Sequence, residues 1–240
     1  MNWVEYFERN RQNRTRIPWE QGINLDPAVR DPLVRSLQRF QVAESGDGVH
    51  IRRGAAATGD ASYACAVDMF MNEEGVHSAL LDRVLTLLGA PLLHGHWSDA
   101  CFVVARRLMG LRVELMVILI AEMIAKRYYQ ILHDRIGDPV LHTVFSQLVH
   151  DETGHLEFHC EYLRGVLERA PRFLHPAVRG GLRAFYQLAF LTVVFDHREL
   201  LRALNVSPGE FLRGCDELFE EIAGKLFGGR GVGIPISSEA

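Results

Sequence analysis

The sequence predicts an all-α protein built on four long helices, and three observations carry that expectation. Apolar residues recur at steps of three, four and seven through most of the chain, the period of one helix face. The turn signals TGD, GAP and GDP cut this periodic sequence into long segments. Alternating runs of the kind that mark strands are scarce. With 240 residues, 48% of them hydrophobic and 23% charged, the chain has the profile of one soluble globular domain with a sizeable core.

Residues 1–30 carry Trp3, Tyr6, Phe7 and Trp19 among many charges, which suits an irregular or partly helical arm that lies on the body and covers part of it. From Asp31 onward Leu33, Leu37, Phe40, Glu44 and Ile51 trace one face of a first long helix. A second, from about Asp60 to Leu88, repeats the pattern with Val67, Phe70, Glu74, His77, Leu81, Leu85 and Leu88, and Gly89 with Pro91 supplies its stop. The third is expected from about Asp99 to His133, with Leu111, Leu115, Ile118, Glu122, Ala125, Tyr129 and Leu132 on its stripe. The fourth runs from Pro139 to about Ala170 through Leu141, Phe145, Leu148, Glu152, His155, His159, Tyr162 and Val166. Further helical patterns follow at roughly 177–204 and 208–227, before a Gly-rich, loose tail. The expected organisation is an arm at 1–30, a helical domain at 31–227 with its core bundle at 31–170 and extra helices at 177–227, and a tail at 228–240.

A net charge of −4 gives no sign of nucleic-acid binding. Cys65, Cys101, Cys160 and Cys215 form no CxxC pair, so neither a zinc knuckle nor a disulfide framework is indicated, and a reducing cytoplasm is expected. The opening MNWVEYFERNRQNR lacks the apolar core of a signal peptide, and the longest apolar run, Leu115 to Ala121, is far short of a membrane span.

Each of the four apolar stripes is interrupted by acid: Glu44, Glu74, Glu122 and Glu152. In two of them a histidine follows three residues later, His77 and His155. Burying an ionised carboxylate without a partner costs several kcal/mol, so four on core faces require cations or protons. Glu44 to Glu74 is 30 residues, as is Glu122 to Glu152, with the turn glycines Gly59 and Gly137 at the midpoints. Each hairpin thus carries its carboxylates about 22 Å from its turn, and the four can meet halfway up a bundle. Glu and His at i and i+3 share a face, so each ExxH offers one bridging-capable carboxylate and one imidazole nitrogen. Oxygen-rich ligation with two histidines and no thiolate suits iron or manganese better than structural zinc and leaves positions open to dioxygen.

Glu44, Glu74-Gly-Val-His77, Glu122 and Glu152-Thr-Gly-His155 together resemble the ligand set of the ferritin-like di-iron carboxylate superfamily, over about residues 31–170. The stretches SLQRFQVAESGDG and AEMIAKRYYQIL also resemble bacterial ferritin-like domain proteins. The resemblance implies a ferritin-like four-helix bundle with a B–C crossover, between its second and third helices, and additional C-terminal helices. GAPLLHGHWSD, residues 89–99, extended over roughly 36 Å, is long enough to make it. It also implies two metal ions, Fe/Fe foremost with Mn/Fe or Mn/Mn as alternatives, held by the four glutamates, two of them bridging, with one nitrogen per ion from His77 and His155.

Several neighbours have more than one reading. In the superfamily an acid before the motif glutamate often orients the opposite histidine; Asp151 and Glu73 occupy those places, with Asp151 balanced between that role and a solvated one and Glu73 leaning to the surface. His159, one turn beyond His155, is an extra ligand, a proton shuttle or a hydrogen-bonded core residue. Tyr129 relays electrons, lines a substrate cavity or simply packs. Glu114, about 80° round the helix from Glu122, is a stand-in ligand or an edge residue. His94 and His96 read as loop histidines more readily than as ligands.

Three functions compete at this stage. The first is a dimetal oxidase or oxygenase that activates dioxygen to oxidise a small organic substrate. The second is a ferroxidase or iron-storage protein, and the third a non-catalytic helical module. The extra helices and aromatic arm suit closure of a substrate pocket better than storage. With no CxxC for a rubredoxin-like module, electrons would come from a ferredoxin, a reductase or the substrate. The helices after 177 leave room for a homodimer face.

Overall fold

The computed structural model describes residues 1–46, 48–93, 95 and 110–228, and among them regular structure is helical throughout, with no strand. The elements are α1 (Trp3–Gln12), α2 (Pro27–Glu44), α3 (Val49–Ala56), α4 (Ala61–Leu87), α5 (Leu111–Arg135), α6 (Pro139–Glu168), α7 (His175–Ala203) and α8 (Pro208–Phe227), with short 3-10 turns at Trp19–Gln21 and Arg172–Leu174.

Local chemistry sets the helix starts. Asp60, Asp138 and Ser207 cap α4, α6 and α8 by accepting from the backbone N–H of Tyr63, Leu141 and Glu210 at 3.0 Å each. Proline stands in the first turn of α2, α6 and α8, where no N–H is needed. Asp138 does more than cap, since its second oxygen accepts from the N–H of Asn24 at 2.8 Å and so pins the N-terminal arm to the α5–α6 turn.

Two pairs form the bundle. α5 and α6 pack along their lengths, α2 packs on α4, and α4 meets α6 to close the core. The apolar stripes read from the sequence face inward: Leu33, Leu37, Val67, Leu81, Leu85, Leu115, Leu132, Leu141, Phe145 and Leu148 are all fully buried. Burying a side chain such as Phe145 stabilises the fold by about 1.5–3 kcal/mol. The C-terminal helices pack on the outside, α7 against α2 and α5 and α8 against α5 and α6, while Leu188, Leu191 and Phe195 on α7 are exposed.

The structure departs from the sequence reading at the first bundle helix. It starts at Pro27, capped by Asp26, rather than at Asp31, and it does not run through Ile51. It stops at Glu44, the chain turns through Gly48 at φ +62, and a separate helix α3 resumes at Val49. The four turn-formers of SGDG outweigh the apolar spacing, because Ser, Asp and Gly each favour local turns over a helix interior. Ile51 is buried all the same, delivered to the core by α3. The arm, too, is more ordered than irregular, with α1 packed on α4. The expected start of the third helix at Asp99, most of the crossover with His94 and His96, and the tail beyond Gly228 lie outside the described residues.

Candidate metal centre

The carboxylates and histidines of the four stripes converge at mid-bundle. Glu44 is the last residue of α2, Glu74 and His77 lie within α4, Glu122 within α5, and Glu152 and His155 within α6. In the α5–α6 hairpin the level is matched, Glu122 standing thirteen residues before Arg135 and Glu152 thirteen after Pro139. Nδ1 of His77 lies 3.6 Å from Glu74 Oε1, 3.6 Å from Glu152 Oε1 and 4.0 Å from Glu44 Oε2. Nδ1 of His155 lies 3.1 Å from the same Glu74 Oε1, 3.6 Å from Glu152 Oε2 and 3.7 Å from Glu122 Oε2. Glu74 and Glu152 therefore stand between the two imidazoles, with Glu44 on the His77 side and Glu122 on the His155 side. Ligand atoms of Glu74, His77, Glu152 and His155 all fall within 4.8 Å of one another, a group that can hold a metal ion.

The other nitrogen of each imidazole is held from outside, and the holding is crossed. His77 Nε2 is 3.1 Å from Asp151 Oδ2, the acid beside Glu152, and His155 Nε2 is 3.0 Å from Glu73 Oε2, the acid beside Glu74. An ionised carboxylate only accepts, so each Nε2 donates and each Nδ1 is left turned toward the centre. Glu73 is thus buried, not the surface acid that its sequence position favours. The cover is α1 and the residues after it: Asn10 donates to Glu73 at 2.6 Å and to Asp151 at 2.7 Å, and Arg14 reaches Glu73 at 2.9 Å and Asp151 at 3.2 Å. Gln147 also donates to Asp151, at 2.8 Å, and accepts from the N–H of Thr15. Asn10, Arg14 and Gln147 carried no sequence signal, since the contacts that bring them here span tens of residues.

Burial and mutual repulsion dominate the electrostatics. Burial, followed by the charges of Glu74 and Glu122, pushes the Glu44 carboxyl well above the usual range, and burial with Glu122 does the same to Glu152. Burial also works against the ionised Glu122, but the close approach of Glu152 and His155 outweighs it and draws that carboxyl down to about 2. Burial works likewise against a charged His155, and the carboxylates of Glu122, Glu152, Glu73 and Glu74 override it. Asp151 is lowered despite burial by its bond to His77, with Arg14 and Asn10 in support. Glu44 carries a further penalty, an acid in the last turn of a helix, where the dipole favours cations.

Buried polar atoms almost always have partners. Here Glu74 Oε1, His77 Nδ1, both oxygens of Glu152 and His155 Nδ1 are buried with none, and all of them face the centre. Carboxylate and imidazole donors without thiolate, aimed at one point from crossed outer supports, fit iron or manganese.

No protein-family model and no curated protein matches the sequence. Solved structures do. A tyrosine-to-phenylalanine variant of an R2-like ligand-binding oxidase with an anaerobically reconstituted Mn/Fe cofactor aligns at TM-score 0.71 and 13% identity, over 93% of this chain and 92% of that one. The aerobically reconstituted form of that variant aligns at 0.68 and 12% identity, over 93% of each chain. The chain has the ferritin-like fold. A protein from Synechococcus with aldehyde deformylating oxidase activity aligns at 0.61 and 17% identity, over 84% of this chain and 92% of that one.

Within this ferritin-like bundle the remaining sequence candidates fall into place around the centre. Tyr129 is fully buried and donates to Glu44 Oε1 at 2.6 Å, fixing that carboxylate. His159 is fully buried between Phe70 and Phe158; neither ring nitrogen has a hydrogen-bond partner, and burial pulls its pKa down to about 4. It is not the hydrogen-bonded core histidine of one sequence reading. Glu114 is buried two turns from Glu122 and bonds His50 Nδ1 at 2.5 Å. Between α2, α3, α4 and α5 lies a cavity of about 140 Å³, lined by apolar side chains including Phe40, Phe70 and Ile118. Glu44, Glu74 and Glu122 stand in its wall, as do His50 and Glu114. The break after Glu44 borders this space, with Gly46 and Gly48 among its lining residues. Among the described residues no helix is long and apolar enough to cross a membrane.

Proposed function

We propose that the chain is a dimetal oxidase: it binds two iron ions, or manganese and iron, through Glu44, Glu74, His77, Glu122, Glu152 and His155, and uses dioxygen to oxidise a small organic substrate held in the adjoining cavity. The observation that carries this reading is the set of buried, partnerless donor atoms aimed at one centre. A cavity whose wall includes three of the glutamates supports a substrate role over storage. The solved structures of the same fold are oxidases by their descriptions, one with a Mn/Fe cofactor, and point the same way.

When bound, the two reduced ions supply the electrons and open coordination positions that dioxygen needs. The protein's part is positional. Glu44, Glu74, Glu122 and Glu152 would hold the ions together with His77 and His155, Glu74 and Glu152 from between the two imidazoles. Asp151 and Glu73 keep Nδ1 of the two histidines turned inward, and the bond from Tyr129 restricts Glu44. Phe40, Phe70 and Ile118 give the cavity an apolar part beside the glutamates, a surface against which an apolar substrate body can lie. Electrons for further turnovers come from a ferredoxin, a reductase or the substrate.

The test is metal content on protein loaded anaerobically with Fe(II) or Mn(II), followed by oxygen uptake. Two ions per chain, with oxygen consumed in proportion, is the expected result. Glu74→Ala and Glu152→Ala are each expected to lose the two-ion stoichiometry. Absence of bound metal would overturn the proposal, and iron that oxidises into a growing mineral would favour storage.

A further inference from the structure

Resting on the oxidase reading, we infer that Glu114 anchors the polar end of the substrate, and that the substrate class is a small apolar amine. The cavity has two polar poles. One is the set of glutamates assigned above to the metals; the other is Glu114, which that assignment leaves unused. Glu114 is 2% exposed, yet its bonded partner is His50, whose side chain is 43% exposed. The arrangement is a buried carboxyl group with a partner whose side chain reaches solvent. Glu114 also lies in the first turn of α5, the end of the helix dipole that complements acidic side chains.

An ammonium group arriving from the cavity replaces His50 at Glu114 and satisfies the buried charge. A carboxylate in the same place meets Glu114 head-on and is repelled. The length fits as well. Glu114 precedes Glu122 by eight residues on α5, about 12 Å along the axis. A molecule anchored at Glu114 therefore lays its apolar body past Ile118 and Ala121, both in the cavity wall, and turns its far end toward the glutamates. A cavity of about 140 Å³ is close to the roughly 150 Å³ that accommodates benzene.

Benzylamine, benzyl alcohol and benzoate share one body and differ in head group, so calorimetric titration of each into Mn(II)-loaded protein tests the inference. Loading first removes the glutamates at the centre as competing amine sites. Benzylamine is expected to bind most tightly and benzoate least. Glu114→Gln should weaken benzylamine at least tenfold while leaving the alcohol nearly unchanged. His50→Ala should bind benzylamine as tightly as the parent or more so, because the competitor for Glu114 is gone. Equal benzylamine affinity in Glu114→Gln, tighter binding of benzoate, or loss of binding in His50→Ala would each overturn the inference. The His50→Ala and head-group comparisons stand even if Glu114→Gln does not fold. Failure of Mn(II) to load would instead count against the oxidase reading, and the Glu114→Gln comparison on metal-free protein carrying Glu44→Gln, Glu74→Gln and Glu122→Gln, which removes the competing carboxylates, would still decide the role of Glu114.

Discussion

Glu73 and Asp151 show how a single residue is decided by what lies over it. Each precedes a motif glutamate, and one step along a helix turns a side chain by about 100°, from the core stripe toward what is usually solvent. The four glutamates and two histidines were legible because a carboxylate in an apolar stripe contradicts the stripe. Asp151 and Glu73 contradict nothing in their own helices; only the cover of Asn10 and Arg14 makes them interior. Asp151 fixes His77 by accepting from Nε2. Asparagine at 151 can present its N–H₂ to that nitrogen and favour the wrong tautomer, with no charge to balance Arg14. Asp151→Asn is therefore expected to weaken Mn(II) affinity by about ten- to a hundredfold, with two ions per chain recovered at saturation. A metal titration checks it, and an unchanged affinity would mean that Asp151 does not orient the imidazole.

At the scale of elements, the sequence located the long helices well, since their caps and stripes are local properties. It missed the break after Glu44 because Ile51 keeps the heptad spacing across a turn. It recognised an aromatic arm but not which charges that arm buries, because the contacts from α1 to α4 and α6 join distant parts of the chain. One glycine allows that docking. A Cβ on Gly154, inside the ETGH motif, would overlap the hydroxyl end of Tyr6, so α1 lies against α6 with Tyr6 in the space that a side chain at 154 would take. Gly154→Ala gains about 1 kcal/mol of helix propensity but overpacks a close contact at about 1–3 kcal/mol. The expected outcome is a lower melting temperature together with faster protease cleavage near residues 13–16, as α1 is pushed off. A raised melting temperature with unchanged cleavage would mean that Tyr6 moves aside freely and that the arm is not held by this contact.

For the molecule as a whole, the bundle and its centre pull in opposite directions. Two helix pairs with continuous apolar stripes supply the stability that allows four glutamates to be brought together at mid-height. In metal-free protein those glutamates repel one another and lack hydrogen-bond partners at several buried oxygens, a standing cost that metal would reverse. Glu152 is the sharpest probe, being fully buried with both oxygens unpartnered. Glu152→Gln keeps the shape and removes the charge, so with chelator present the variant is expected to melt above the parent, by an amount corresponding to about 1–3 kcal/mol. With saturating Mn(II) the order should invert. A ligand at a hundred times its dissociation constant adds about 2.7 kcal/mol to the protein that binds it, and on the proposed assignment of Glu152 to the metals Gln in its place forfeits most of that gain. Paired thermal melts of parent and variant, with chelator and with Mn(II), read both halves. A variant less stable in both states would mean that Glu152 serves packing alone, because only a residue whose charge is unfavourable without metal and required with it can exchange rank between the two conditions.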